Sequence, residues 1–300
     1  MTVLALHIGS AGFMAGRADD DENDDSSIRR IPLPERSTWA RCRELLLDVA
    51  AGQEVSAVGI ASAGPLDMAA GVVAPADIPE WRTGFGLTEA VRKLFPAAEV
   101  HLVLEGLSLA MAERQFGAAQ ETVDAVTILV SDRISGGITA GGFALAGRTG
   151  NAGYIGHVLV PGFDDPCDCG GHGCLEAVAG GRSVVRWARG NGWPGSSSDA
   201  LVEAARAGDA VALAALGRAG TALGLAITSV AALLDVDLVI VGGVLSQAGP
   251  ELWTPLHDAV AEHAKLAFLP GLRVLPSQLG DIGVLAGAGL LGILTERPNV

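Results

Sequence analysis

The stretch GHVLVPGFDDPCDCGGHGCLE, residues 156–176, decides how this chain is to be read. Three of the four cysteines, Cys167, Cys169 and Cys174, crowd into eight residues there. A Cys167–Cys169 disulfide would enclose a single residue and be strained. A redox dithiol usually spaces its thiols by two residues, which these cysteines do not. Zn²⁺ wants four soft or borderline ligands in a tetrahedron. Cys167 and Cys169, followed by glycines, form a tight knuckle, and Cys174 returns after Gly170, Gly171 and Gly173, which permit left-handed turns. His157 sits across the loop and completes the set; His172 competes for that place, but its position inside the turn directs it outward. Three thiolates and a histidine close the coordination, so the metal is expected to order a loop and not to activate water.

Outward from this loop, composition narrows the class. Hydrophobic residues make up 49% of the chain, aromatic ones only 4%, and there are 41 glycines, the profile of an α/β body packed with Ala, Val and Leu. A formal net charge of −14 argues against a nucleic-acid surface, which needs clustered Lys and Arg, and against an anionic membrane. The opening MTVLALHIGSAG lacks a basic n-region and reads as a strand, so no signal peptide is expected. The uncharged runs Ala219–Leu234 and Ile282–Thr295 fall short of the ~20 residues of a spanning helix and read as buried helices. The expectation is a cytoplasmic protein.

Apolar, β-branched runs at Val3–Ile8, Val55–Ile60, Val100–Leu104, Val126–Val130 and Leu238–Val241 alternate with helix-length segments. The latter include Thr38–Ala51, Leu107–Phe116, Leu175–Arg189 and Ala210–Leu234. Such alternation predicts a mostly parallel α/β architecture, with hairpins around Ala11–Gly12 and Gly141–Gly142. A boundary near Phe116–Gln120 divides the chain into a smaller lobe, 1–117, and a larger one, 118–282, carrying the loop 157–176. The final helix, within 283–300, is expected to pack back on the first lobe. The acidic run Asp19–Asp25 reads as a solvated loop.

At residues 156–176 the sequence resembles the ROK family of bacterial sugar kinases and sugar-responsive repressors. The family signature, Gly-His followed by Cys-x-Cys-Gly-x-x-Gly-Cys-x-Glu, is met by Gly156-His157 and by Cys167 to Glu176. Further landmarks follow in family order: Gly59–Asp67, Gly71–Trp81, Glu113–Gly117, Gly136–Gly137, Val239–Ser246 and Gly280–Ala288. The resemblance implies a two-lobed, actin-like (ribonuclease H-like) ATPase fold with a Zn-binding loop in the larger lobe, and nucleotide and sugar meeting in the cleft. It further implies transfer of the ATP γ-phosphoryl group to a sugar hydroxyl, with a carboxylate base and Gly-rich turns holding phosphate and Mg²⁺. His157 and Glu176 match the family's sugar-contacting residues, and the family tends to form dimers.

The departures fall on the catalytic parts. ROK kinases open with Asp-x-Gly-Gly-Thr, where the Asp helps organise Mg²⁺; here the stretch is His7-Ile8-Gly9-Ser10-Ala11. The second phosphate turn, usually Gly-Thr-Gly-x-Gly-Gly, reads Ser131-Asp132-Arg133-Ile134-Ser135-Gly136-Gly137. Counting back from Glu113 places Leu104 and Glu105 at the catalytic Asn-Asp pair. Tyr154 stands where a sugar-binding Glu is usual, and Ala76 or Asp77 where an Asn is usual. The turn Gly242-Gly243 is intact.

Read alone, the sequence favours a sugar-kinase-like protein that binds a sugar or a related ligand without efficient catalysis. The alternative is an active ATP-dependent kinase for a hexose or amino-hexose, with Glu105 as base. Expected sugar contacts are Asp77, Glu105, Tyr154, His157 and Glu176; expected nucleotide contacts are Gly9, Ser10, Gly136, Gly137, Gly242 and Gly243. Expected metal ligands are His157, Cys167, Cys169 and Cys174, with structural Zn, and Mg-ATP only under the kinase reading. A repressor is set aside, since the chain is acidic and starts directly on a strand, where ROK repressors carry a helix-turn-helix. The partners expected are a small sugar-like molecule and a second copy of the chain, with no nucleic acid and no membrane.

Overall fold

A computed structural model of the protein describes residues 2–18, 27–269 and 271–296; the acidic run 19–25 lies outside them. The chain divides into two compact units, one of Met1–Gln115, Ala144–Ala152 and Ile282–Val300, the other of Phe116–Phe143 and Gly153–Asp281.

Unit 1 opens on β1 (Thr2–Ile8), which is buried throughout except at the half-buried His7. β2 (Gly12–Arg17) returns antiparallel to it and β3 (Arg29–Pro32) adds an edge. After α1 (Thr38–Ala50), β4 (Val55–Ser62) pairs parallel with β1, as expected of a strand apolar on both faces. The short pair β5 (Leu66–Asp67) and β6 (Val72–Val73) precedes α2 (Leu87–Leu94). β7 (Glu99–Leu104) then joins β4 in parallel, giving the order β3-β2-β1-β4-β7, and runs without a gap into α3 (Glu105–Phe116).

Two contacts brace the segment between β6 and α2. Trp81, 2% exposed, stacks between Phe13 (centroids 5.9 Å) and Phe85 (4.6 Å). Glu80 accepts hydrogen bonds from the backbone N–H groups of Ser37 and Thr38, both 2.8 Å, capping α1 where Ser37 is left-handed and offers no side-chain cap. These bonds, Thr38 first, hold the Glu80 carboxyl below the usual glutamate value.

In unit 2, β8 (Ala125–Val130) and β9 (Ile134–Ala140) form a hairpin with β10 (Phe143–Ala144) beyond it. α4 (Leu175–Ala179), α5 (Gly181–Gly190), α6 (Ser198–Arg206) and α7 (Ala210–Leu234) precede β11 (Leu238–Gly242). α8 (Pro250–His263) follows, and β12 (Arg273–Pro276) completes a second sheet ordered β10-β9-β8-β11-β12. α7 packs against α4, α5, α6 and α8, and residues such as Leu216, Leu223 and Ile227 on it are fully buried in the unit's core.

α7 is 25 residues long, so the run Ala219–Leu234 is only its second part and Arg218 lies inside the helix. By length and composition it is the one described helix apolar enough to cross a membrane, and 56% of its most apolar window is buried in the protein. The helix has the bounds expected from the sequence, Ala210–Leu234, and its uncharged part alone, Ala219–Leu234, is shorter than a span.

Leu175–Arg189, by contrast, is not one helix. Gly180 is extended (φ −63, ψ 138), separating α4 from α5. The break lets Gly181 and Arg182 donate their N–H groups to the carbonyls of Ser131 (2.8 Å) and Asp132 (3.2 Å), so α5 props the β8–β9 turn. The last described element is α9 (Gly283–Glu296), part of unit 1, packed on β1 and β4.

Candidate functional site

The loop 157–176 is built from short backbone bridges. Cys167 N donates to Gly171 O and Gly170 N to Cys167 O, both 2.9 Å, closing the knuckle. Gly173 has φ +70, and a Cβ there would lie 2.7 Å from Phe163 O, so only glycine serves. Leu175 N donates to Val158 O at 2.9 Å, bringing the end of the loop back beside His157.

The ligand atoms of His157, Cys167, Cys169 and Cys174 all lie within 4.8 Å of one another, an arrangement that could hold a metal ion. Cys169 Sγ is 3.7 Å from Cys174 Sγ, and Cys167 Sγ is 3.8 Å from His157 Nδ1. A tetrahedron with Zn–S of about 2.3 Å and Zn–N of about 2.0 Å has edges of roughly 3.5–3.8 Å, and these two distances match it. Burial pushes the Cys174 thiol up to about 12 and raises Cys167, while the backbone N–H of Gly171 lowers Cys169. Thiols crowded in this way need a cation among them to ionise together. Partial burial, aided by the Arg133 guanidinium, keeps the His157 ring below its ordinary value, hence neutral as a ligand must be. His172 is exposed and not part of the cluster.

A second clamp holds the loop from the side of α7. The Arg218 guanidinium lies 5.1 Å from the ring centroids of both Phe163 and Trp187, and Nη2 donates to Asp165 Oδ1 at 2.7 Å. No motif announces this residue; an arginine within an apolar helix is its one trace in the sequence.

Glu176 is 5% exposed and its Oε2 accepts the N–H of Ile134 at 2.6 Å. Arg133 Nη1 lies 3.1 Å from Asp168 and 3.6 Å from Glu176 Oε1, so it pairs with the loop and does not face solvent alone. The Tyr154 ring stacks on His157, centroids 5.3 Å apart. Tyr154, His157 and Glu176 are thus brought together in unit 2.

The β8–β9 hairpin places the residues of the second expected phosphate turn. Its tip is Ser131, Asp132 and Arg133, whereas Gly136 and Gly137 lie inside β9, paired with Ile128 and Thr127. Gly136 is needed for packing, since a Cβ would meet Gly153 O at 2.6 Å. Gly242 ends β11, and Gly243 turns with φ +92.

In unit 1, Gly9 and Ser10 form the β1–β2 turn, closed by Gly9 N donating to Gly12 O at 3.0 Å. Glu105 begins α3 directly after β7, where the helix dipole favours a carboxylate. Its Oε2 is 3.1 Å from His7 Nε2, with the two side chains 7% and 16% exposed. Asp77 is half-buried in the turn before Trp81. Asn151, which sequence reasoning missed, mimics a strand: its Oδ1 accepts from Leu66 N (3.0 Å) and its Nδ2 donates to Leu66 O (2.6 Å), tying 144–152 to β5.

The ROK family profile matches residues 43–293. A glucokinase of Thermotoga maritima is 30% identical over 97% of this chain and 97% of its own. A kanosamine kinase of Amycolatopsis mediterranei is 32% identical over 87% and 83%. The crystal structure of a ROK family glucokinase from Streptomyces griseus, in complex with glucose and AMPPNP, superposes with a TM-score of 0.84. It covers 98% of this chain and 99% of that one at 27% identity. The α/β architecture matches that actin-like ATPase fold.

Proposed function

The chain belongs to the ROK family, and from that premise we propose that it transfers the γ-phosphoryl group of ATP to a hydroxyl of a hexose or amino-hexose, with Glu105 as base. The observation that carries this reading is the Glu105 carboxylate itself, retained at the junction of β7 and α3, buried and held by a partner. Two of the departures that prompt the non-catalytic reading make defined contacts: His7 meets Glu105, and Tyr154 stacks on His157. Similarity to a glucokinase along 97% of both chains also favours catalysis over a binding-only role.

In this reading zinc sits among His157, Cys167, Cys169 and Cys174 and fixes the loop. The cluster engages the histidine through Nδ1, the atom facing Cys167, which leaves Nε2 for a sugar hydroxyl. Asp77, Tyr154 and Glu176 are the further sugar contacts proposed. Gly9, Ser10, Gly136, Gly137, Gly242 and Gly243 are the residues proposed to take the nucleotide with Mg²⁺, where positioning and charge stabilisation supply most of the rate. A cytoplasmic homodimer completes the proposal.

Phosphorus NMR of the protein with Mg-ATP and glucose, mannose, or their amino and N-acetyl forms tests it. A phosphomonoester resonance growing in step with ADP is expected for at least one acceptor. Unchanged ATP with every acceptor would restore the binding-only reading.

A further inference from the structure

We propose that His7 is a positioning residue for the base: it donates its Nε2–H to Glu105 Oε2 and so presents Oε1 to the acceptor hydroxyl. This rests on the kinase reading above.

The two residues are 98 positions apart, and β1, which holds His7, is not a neighbour of β7, which leads into Glu105, because β4 runs between them. The register aligns His7 with Ala61 and Ala61 with Val103, so the imidazole reaches Glu105 across the position of a single methyl group. Adjacent strands lie ~4.8 Å apart, and a long side chain at position 61 would stand in the way. The ring is also held from the turn: a Cβ on Gly9 would lie 3.0 Å from His7 Cε1 and 3.1 Å from Nε2. Backbone at Gly9, a methyl at Ala61 and a carboxylate at Glu105 leave the imidazole one berth.

The pairing also gives the departure from Asp-x-Gly-Gly-Thr a physical reason. Two carboxylates 3 Å apart cannot both stay ionised in a buried site without a cation between them. A histidine donor removes that conflict and leaves one ionised carboxylate. Glu105 Oε1 then takes the proton of the acceptor hydroxyl while that oxygen bonds to the γ-phosphorus. The bond from the γ-phosphorus to the β–γ bridging oxygen breaks, and ADP leaves with its electron pair. Glu105, now neutral, releases the proton to water. His7 keeps its own proton throughout.

Steady-state kinetics of His7→Leu and His7→Gln test the inference. In His7→Leu the donor is gone, and kcat is expected to fall about 10²-fold, the scale of a 1 Å misplacement, with KM for sugar and for Mg-ATP within twofold. The Gln amide can replace the donor, so His7→Gln should recover at least a tenth of wild-type kcat. Ala61→Leu should reproduce the His7→Leu pattern. An unchanged kcat in His7→Leu, or equal impairment of the Leu and Gln variants, would overturn the proposal. Imidazole ¹⁵N NMR reads the pair without turnover: a slowly exchanging His7 Nε2–H is expected, lost in Glu105→Ala, and its absence in the wild type would refute the contact. A wild type without turnover sinks the kinase reading; an active wild type indifferent to His7→Leu sinks only this inference.

Discussion

In the loop 157–176 every residue type of the family signature is in place, whereas in the turn 7–11 only Gly9 is. The loop depends on four ligands closing one polyhedron and on glycines at fixed bends. Changing one ligand opens the coordination, and among the described residues no fifth one joins the cluster. The turn depends on an arrangement of charge, and an arrangement can be met by a different pair. His7 with Glu105 is such a pair, buried and 3.1 Å apart. Divergence from a motif thus says less about lost function where a compensating partner is within reach than where geometry is all-or-none.

Glu105→Gln should have the largest effect. Loss of the proposed base should lower kcat by about 10²–10⁴-fold, the usual worth of general-base catalysis, with the melting temperature little changed. Activity close to wild type would remove Glu105 from the mechanism.

Zinc removal should do the opposite, acting first on stability. For a ligand bound far below its working concentration, chelation should lower the melting temperature of unit 2 by about 10 °C. Thiol titration of the native chelated protein should then find Cys167, Cys169 and Cys174 reactive. Cys42, fully buried with its thiol pushed up to about 12, should stay silent until unfolding. Purified protein free of zinc, by elemental analysis, would contradict the metal assignment.

Arg218→Ala tests the second clamp. Two cation–π contacts and a half-buried ion pair should amount to about 1–2 kcal/mol, read as a fall of roughly 3–6 °C in melting temperature and faster zinc loss to a chelator. Arg218→Lys should rescue little of it, since an ammonium cannot lie flat between two rings.

The smallest effect concerns Glu80. Its carboxyl is held low by the N–H groups of Thr38 and Ser37, so its stabilising share is present above the ordinary glutamate value. That share is lost as pH falls through the lowered value. The gap in melting temperature between wild type and Glu80→Gln should therefore be small near neutrality and vanish on acidification; a gap that widens in acid would contradict the cap.

What the sequence revealed follows the range of the interactions. The strands at Val3–Ile8 and Val126–Val130 are continuous apolar runs, and the metal ligands span a single loop, so both are legible locally. The contact of His7 with Glu105 depends on a strand order that no local pattern encodes, and His7 looks like a loss when read alone. The break at Gly180 is invisible because its cause lies at Ser131 and Asp132, some fifty residues earlier in the chain. Gly136 and Gly137 are placed in the turn by motif counting and in β9 by the register.

Kinase activity is tested most directly by one rate: ADP release by zinc-loaded wild-type protein with Mg-ATP, measured with and without each candidate sugar. Release that depends on one acceptor and saturates with it is the predicted result. Release that is absent, or the same with no sugar present, would contradict the account.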